Sequence, residues 1–106
     1  MTVLIATNLI DYHNIIKNNS MVIIVFSANF CKPSNDIYPH IKNLAEEISD
    51  IQFLKIDIED GYEISNNYNI QSIPHFKFFK NNIEVFSFTG TNKNNLVSSI
   101  KTLKEY

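Results

Sequence analysis

The sequence predicts an α/β domain in which a central mixed sheet, part parallel and part antiparallel hairpin, is flanked by helices on both faces. Three observations carry this. Segments of strand and helix periodicity alternate in the order βαβαβαββα, and crossover helices are needed only where strands run parallel. Val22-Ile23-Ile24-Val25-Phe26 is an unbroken, β-branched run of the kind found in a strand covered on both faces. Farther on, Asn81-Asn82 separates two strand-like runs, and two residues that tolerate positive φ predict a tight hairpin.

Taken in order, Val3 to Ala6 is a short strand, and Thr7 or Asn8 caps a helix whose apolar face is Leu9, Tyr12, His13 and Ile16. That helix ends at Asn18-Asn19. After the buried strand and the stretch Ser27 to Cys31, a second helix carries Ile37, Ile41, Leu44, Ala45 and Ile48 along one stripe. Pro39 interrupts and kinks it, because proline removes an amide donor and its ring crowds the preceding turn. Ile51 to Ile58 forms a strand with Leu54, Ile56 and Ile58 on one side and Asp57 near its end. Asp60 to Tyr68 is a short polar helix. Ile73-Pro74 precedes the strand Phe76 to Phe79, which returns through Asn81-Asn82 as Ile83 to Phe88. A last helix, Asn92 to Lys104, buries Leu96, Val97, Ile100 and Leu103. With no linker and no repeat, residues 1–106 read as one domain.

Composition removes several classes of function. Hydrophobic content of 44%, with eight Phe and five Tyr, supplies the apolar surface of a core and excludes a disordered or collagen-like chain. A formal charge of −2 without a Lys/Arg cluster gives nucleic acid and anionic membranes nothing to hold. The longest apolar run, Met21 to Phe26, falls far short of the roughly 20 residues that cross a bilayer. The N-terminal stretch lacks the basic start and long apolar centre of a secretion signal, and one cysteine cannot close an internal disulfide. A reducing, cytoplasmic setting is expected. His13 and His40 are far apart in sequence without paired ligand spacing, so no metal site is expected.

The run Phe26-Ser27-Ala28-Asn29-Phe30-Cys31-Lys32-Pro33-Ser34 opens the second helix with the chain's one cysteine. Together with Pro39, Ile73-Pro74 and Gly90, at consistent spacing over nearly the whole chain, it resembles the thioredoxin family. That family's active stretch usually reads Phe, small, Ala, variable, Trp-Cys-Gly-Pro-Cys. The resemblance implies the thioredoxin fold, a proline kink at Pro39, a cis proline at Pro74 facing Cys31, and a glycine at Gly90 after the last strand. The departures are equally specific. Ser34 replaces the second cysteine, Lys32 the glycine and Phe30 the tryptophan, while His75 follows the proline where the family favours Thr. Val25 stands where most members bury an acidic residue, thought to help deprotonate the resolving cysteine. With no such cysteine, a buried acid would be only an unpaired charge.

The resemblance implies thiol-disulfide exchange, with Cys31 and Ser34 at the catalytic position and Phe30, Lys32, Pro33, Ile73, Pro74 and His75 meeting the substrate. A cysteine at a helix's first turn faces unpaired amides that favour thiolate, the form that attacks disulfides. Lys32 adds a screened cation. Ser34 forms no disulfide, so release falls to an external thiol, glutathione as co-substrate, or to a substrate cysteine. That is monothiol reduction or isomerisation. For Ser34, a hydrogen bond to the Cys31 sulfur and an ordinary first-turn serine are both open; Pro33 needs only its preference for the first turn. A cis Pro74 would leave the Ile73 backbone free to pair with an extended substrate, the alternative being a proline that starts an edge strand. His75 is either a proton carrier near the sulfur or a structural hydrogen-bonder. Phe30, Tyr62 and Tyr68 form either an apolar docking rim or core, and the acidic run Asp57 to Asp60 reads as a solvated strand end. Protein thiols and disulfides are the expected partners, no cofactor is expected, and the chain is expected to be a monomer whose Cys31 offers a disulfide-linked dimer. Two other readings remain: a redox-inactive binding module on the same fold, and an ordinary dithiol protein in which Ser34 stands for an engineered cysteine replacement.

Overall fold

A computed structural model describes residues 2–106; Met1 lies outside the described residues. Five strands form one sheet in the order β1-β3-β2-β4-β5. β2 (Met21–Ser27) is the pivot, with six of its seven residues buried. It pairs in parallel with β3 (Gln52–Asp57) and antiparallel with β4 (His75–Lys80). β1 (Leu4–Ile5) is shorter than the sequence predicts; it lies parallel to β3 at one edge and is exposed. β5 (Ile83–Thr89) is the other edge, antiparallel to β4.

The β4–β5 hairpin turns at Asn81 (φ 52°) and Asn82 (φ 69°). Asparagine adopts this left-handed conformation more readily than other non-glycine residues. A bulge follows: Phe78 faces Phe86 but Phe79 faces Glu84, so Val85 is the extra residue. Phe78 stacks on Phe86 at 4.4 Å and Phe76 on Phe88 at 4.8 Å between ring centroids.

Helices cover both faces of the sheet. On one side α2 (Lys32–Glu47) and α4 (Lys93–Glu105) bury Ile37, Ile41, Leu96, Ile100 and Leu103 against Ile23, Val25, Phe53 and Phe78. On the other, α1 (Leu9–Asn18) and α3 (Tyr62–Ser65) bury Tyr12, Ile16 and Ile64 against Ile24, Phe26, Leu54 and Ile56. The alternation of side chains along each strand produces the two cores.

Local chemistry sets the helix ends. Asn8 caps α1 by accepting from the Asp11 amide at 2.9 Å, and Asn92 caps α4 by accepting from the Asn95 amide at 3.0 Å. Pro39 lies inside α2, which runs on through it to Glu47. The donor that proline lacks is the one Asn35's carbonyl would have received, and Asn35 is solvent-exposed.

Two apolar assignments differ from the sequence prediction. His13 is exposed, because the buried stripe of α1 centres on Tyr12 between Ile15 and Ile16, and one residue onward turns about 100° round a helix. Val97 is 51% exposed, since Leu96, Ile100 and Leu103 already line the contact face of α4. The segment after β3 begins its helix later than Asp60: Gly61 caps α3, and a 3-10 turn over Asn66–Tyr68 follows.

Phe78, fully buried and stacked on two rings, is the clearest packing keystone. Phe78→Ala is expected to lower unfolding free energy by about 3–5 kcal/mol, measured as a shifted urea midpoint at unchanged slope.

Candidate active site at the ends of β2 and β4

The sheet register assembles the site. Phe26 pairs with His75 across the antiparallel β2–β4 ladder, so residues just after Phe26 and just before His75 emerge at the same end of the sheet. Two segments 42 residues apart in sequence therefore meet, and the Cys31 thiol donates toward the Ile73 carbonyl at 4.0 Å. The peptide between Ile73 and Pro74 is cis.

Cys31 is half-buried and is the N-cap residue of α2, with φ −93° and ψ 108°, one position before the first turn. Its sulfur makes no capping hydrogen bond. This differs from the expectation of a sulfur aimed at the first-turn amides. A thiol sulfur is a weak acceptor, and the polar contact it makes is with the Ile73 carbonyl at 4.0 Å. Pro33, in the first turn, needs no intrahelical donor.

Ser34 is buried, and its Oγ has no hydrogen-bond partner within the described chain. The hydrogen bond from Ser34 to the Cys31 sulfur considered from sequence is absent. Ser27 Oγ, at the end of β2, is likewise buried without a partner. Lys32 pairs with Asp36 one helical turn on at 2.8 Å. Both side chains are largely exposed, so the pair contributes little to stability.

The aromatic residues divide. Phe30 is 71% exposed and Tyr62 64% exposed, leaving apolar surface at this end of the molecule. Tyr68 belongs to the core side: it packs edge-on against Phe26, and its hydroxyl bonds that of the buried Tyr12. Burial, with that contact, holds the Tyr12 phenol above the usual tyrosine range, and burial does the same for Tyr68.

His75 Nδ1 bonds Thr89 Oγ1 on β5 at 2.7 Å. Burial, with Lys77 nearby, holds the imidazole below its ordinary value of 6.5, against a smaller opposing pull from Glu84. Lys77 is itself buried on this face and pairs with Glu84 at 3.1 Å.

Sequence reading missed Asp57. Predicted as part of a solvated acidic strand end, it is 9% exposed and accepts three backbone amides. Asn29 N reaches Oδ2 at 3.1 Å; Glu59 N and Asp60 N reach Oδ1 at 2.8 and 3.1 Å. The available signal was its position as last residue of a buried parallel strand, where the chain turns and amides lose their ladder partners.

The thioredoxin family model matches residues 3–102. The chain belongs to the thioredoxin family. It is 33% identical over 98 residues to the thioredoxin of Gallus gallus, covering 91% of this chain and 93% of that protein. Among solved structures, thioredoxin of Plasmodium falciparum superimposes with a TM-score of 0.90 at 31% identity, covering 94% of this chain and 98% of that one. A cysteine-to-serine mutant of the Entamoeba histolytica protein superimposes with a TM-score of 0.88 at 32% identity, over 94% and 98% of the two chains. The sheet and its two helical layers are thus the thioredoxin fold. Thioredoxins are thiol-disulfide oxidoreductases that act on protein disulfides and need no cofactor. Among the described residues there is no group of three or more His, Cys, Asp or Glu suited to a metal, and no helix is long and apolar enough to cross a membrane.

Against the usual thioredoxin pattern, Val25 places a fully apolar side chain, 4% exposed, where an acid is common. Ser34, by contrast, leaves an unpartnered hydroxyl in the interior. Since an unsatisfied buried polar group costs about 1–3 kcal/mol, Ser34→Ala is expected to match or exceed the parent in urea unfolding, and a marked loss would show a hidden partner.

His75 yields a pH prediction. Because the folded state resists its protonation, the unfolded chain binds more protons as pH falls through 6.5. This contribution to stability is complete above that value and is lost below it. Urea midpoints at about pH 7.5 and about pH 5.5 are expected to diverge more for the parent than for His75→Asn.

Proposed function

We propose that this thioredoxin-family chain exchanges thiols by a monothiol route, with Cys31 as nucleophile and Ser34 unable to resolve the product. The observation that carries the reading is the Cys31 sulfur, half-buried at the start of α2 and 4.0 Å from the Ile73 carbonyl, in a motif whose fourth residue is serine.

In the first step the Cys31 thiolate attacks one sulfur of a substrate disulfide. A Cys31–substrate disulfide forms and the other substrate sulfur leaves as thiolate, so one S–S bond replaces another. Ser34 cannot continue, because a hydroxyl is a far weaker nucleophile at neutral pH and makes no disulfide. Release needs a second thiolate. Glutathione attacks the substrate sulfur, returning Cys31 as thiolate and leaving a substrate–glutathione disulfide, which another glutathione reduces with formation of oxidised glutathione. A second substrate cysteine performs the same attack internally, which is isomerisation.

Substrate contact is assigned to Phe30, Lys32, Pro33, Ile73 and His75, and to Pro74 only through its neighbour Ile73, since Pro74 is itself buried. Ile73 precedes β4 and offers backbone to an extended segment, a mode of recognition that needs few specific side chains. The exposed rings of Phe30 and Tyr62 supply apolar area for a protein partner. Free chain is assigned as a monomer in a reducing, cytoplasmic setting, with Cys31 its one means of forming a disulfide-linked dimer.

The reduced protein mixed with a peptide disulfide is expected to gain the mass of one peptide arm and to keep it until glutathione is added. Cys31→Ser is expected to gain none. Ser34→Cys is expected to release the peptide without added thiol, faster by at least about a hundredfold, because an intramolecular thiol acts at high effective concentration.

A second reading, a binding module without redox chemistry, is favoured by one observation: the Cys31 sulfur receives no capping hydrogen bond from the helix amides. Cys31→Ala separates the two, since a module keeps its partner after that substitution.

A further inference from the structure

Residue 29 is held on both sides of its α-carbon. The stretch Ala28 to Cys31 is a tight turn closed by the Cys31 amide donating to the Ala28 carbonyl at 3.0 Å. Within such a turn the second residue's amide and carbonyl point outward and ordinarily go to water. Here neither does. The Asn29 amide donates to Asp57 Oδ2 at 3.1 Å, and the Asn29 carbonyl accepts from Asn35 Nδ2 at 2.9 Å.

The two grips come from different parts of the fold. Asp57 ends β3, and its other oxygen is fixed by the amides of Glu59 and Asp60. The strands beneath are tied at the same level by the Ile58 amide donating to the Ser27 carbonyl at 2.9 Å. Asn35 lies in the first turn of α2, whose start is marked by its own amide donating to the Cys31 carbonyl at 3.1 Å. One grip therefore refers the turn to the sheet and the other refers it to the helix.

We propose that Asp57 and Asn35 are positioning residues for Cys31, acting through the backbone of Asn29 to hold the thiol at the Ile73 edge. The inference rests on the thiol-exchange reading above. Three amide donors balance the burial of the Asp57 carboxylate, and the isosteric Asp57→Asn would set an NH2 group against at least one of those amides. Asn35 is exposed, so its side chain contributes little packing whose loss would confuse the result. Phe30, central in the turn, is 71% exposed.

The test compares the parent, Asp57→Asn, Asn35→Ala and the double variant. Three quantities are measured: the rate of mixed-disulfide formation with a peptide disulfide, the rate of alkylation by iodoacetamide, and hydrogen exchange at the Cys31 amide. Each single variant is expected to slow peptide exchange about tenfold, a fraction of what a misplacement of one ångström costs a reacting pair. Alkylation by the small reagent, which has no docking geometry, is expected to change less than twofold, and the Cys31 amide to lose protection. The double variant is expected to be no slower than the slower single, because both act on one residue. Unchanged exchange in Asn35→Ala, whose fold is at little risk, overturns the proposal, as does a double variant whose loss is the product of the singles. A parent that forms no mixed disulfide at all overturns the thiol-exchange reading and the positioning role with it. A parent that reacts beside variants that react equally well overturns the positioning role alone.

Discussion

β2 pairs with β3 on one side and β4 on the other, in opposite senses, and the position of every site residue descends from that arrangement. Parallel pairing brings the C-terminal ends of β2 and β3 together, so Ser27 lies opposite Asp57. Antiparallel pairing brings the end of β2 to the start of β4, so Phe26 lies opposite His75. Three chain segments thus leave the sheet at one place: the turn before Cys31, the loop after Asp57 and the stretch before His75. A register slip of one residue would invert the faces of β2 and expel Ile24 and Phe26 from their core, so packing on both faces locks the register and, through it, the site.

Polar groups at this junction are handled unevenly. The Asp57 carboxylate collects three amides and is fully employed, whereas the hydroxyls of Ser27 and Ser34 are buried without partners. A carboxylate left in that state would cost far more than a hydroxyl, which is consistent with apolar Val25 lying in the adjacent core. A thiol at position 34 would bury more easily than a hydroxyl, since cysteine behaves in a core as a small hydrophobe.

Much of this was legible in the residues. The buried run Val22 to Phe26, the Asn81-Asn82 turn and the helical stripe Ile37, Ile41 and Ala45 each carry their conformation in local chemistry, and each formed where predicted. His13 and Val97 failed because they lie at the margin of an apolar stripe, where the neighbouring sheet determines how wide the buried face is. Asp57 failed for a different reason. Its sequence neighbours Glu59 and Asp60 are exposed, and although their amides supply two of its three donors, the third comes from a loop 28 residues away that no local pattern shows. The Lys32–Asp36 pair, four residues apart on one helix, is a contact that helical spacing alone makes available.

What the sequence by itself determined is the set of strands and helices, their order, and the placing of a single cysteine at a helix start, with serine three residues on. These follow from side-chain periodicity, turn-forming residues and covalent structure, all of which act over a few residues. Tertiary structure alone decided what that sulfur faces and what holds it. The Ile73 carbonyl and the Asp57 carboxylate reach the Ala28 to Cys31 turn because sheet register brings them there, whereas the Asn35 amide reaches it from the helix that follows directly. Register is a collective property of two cores, so no short stretch of residues contains it.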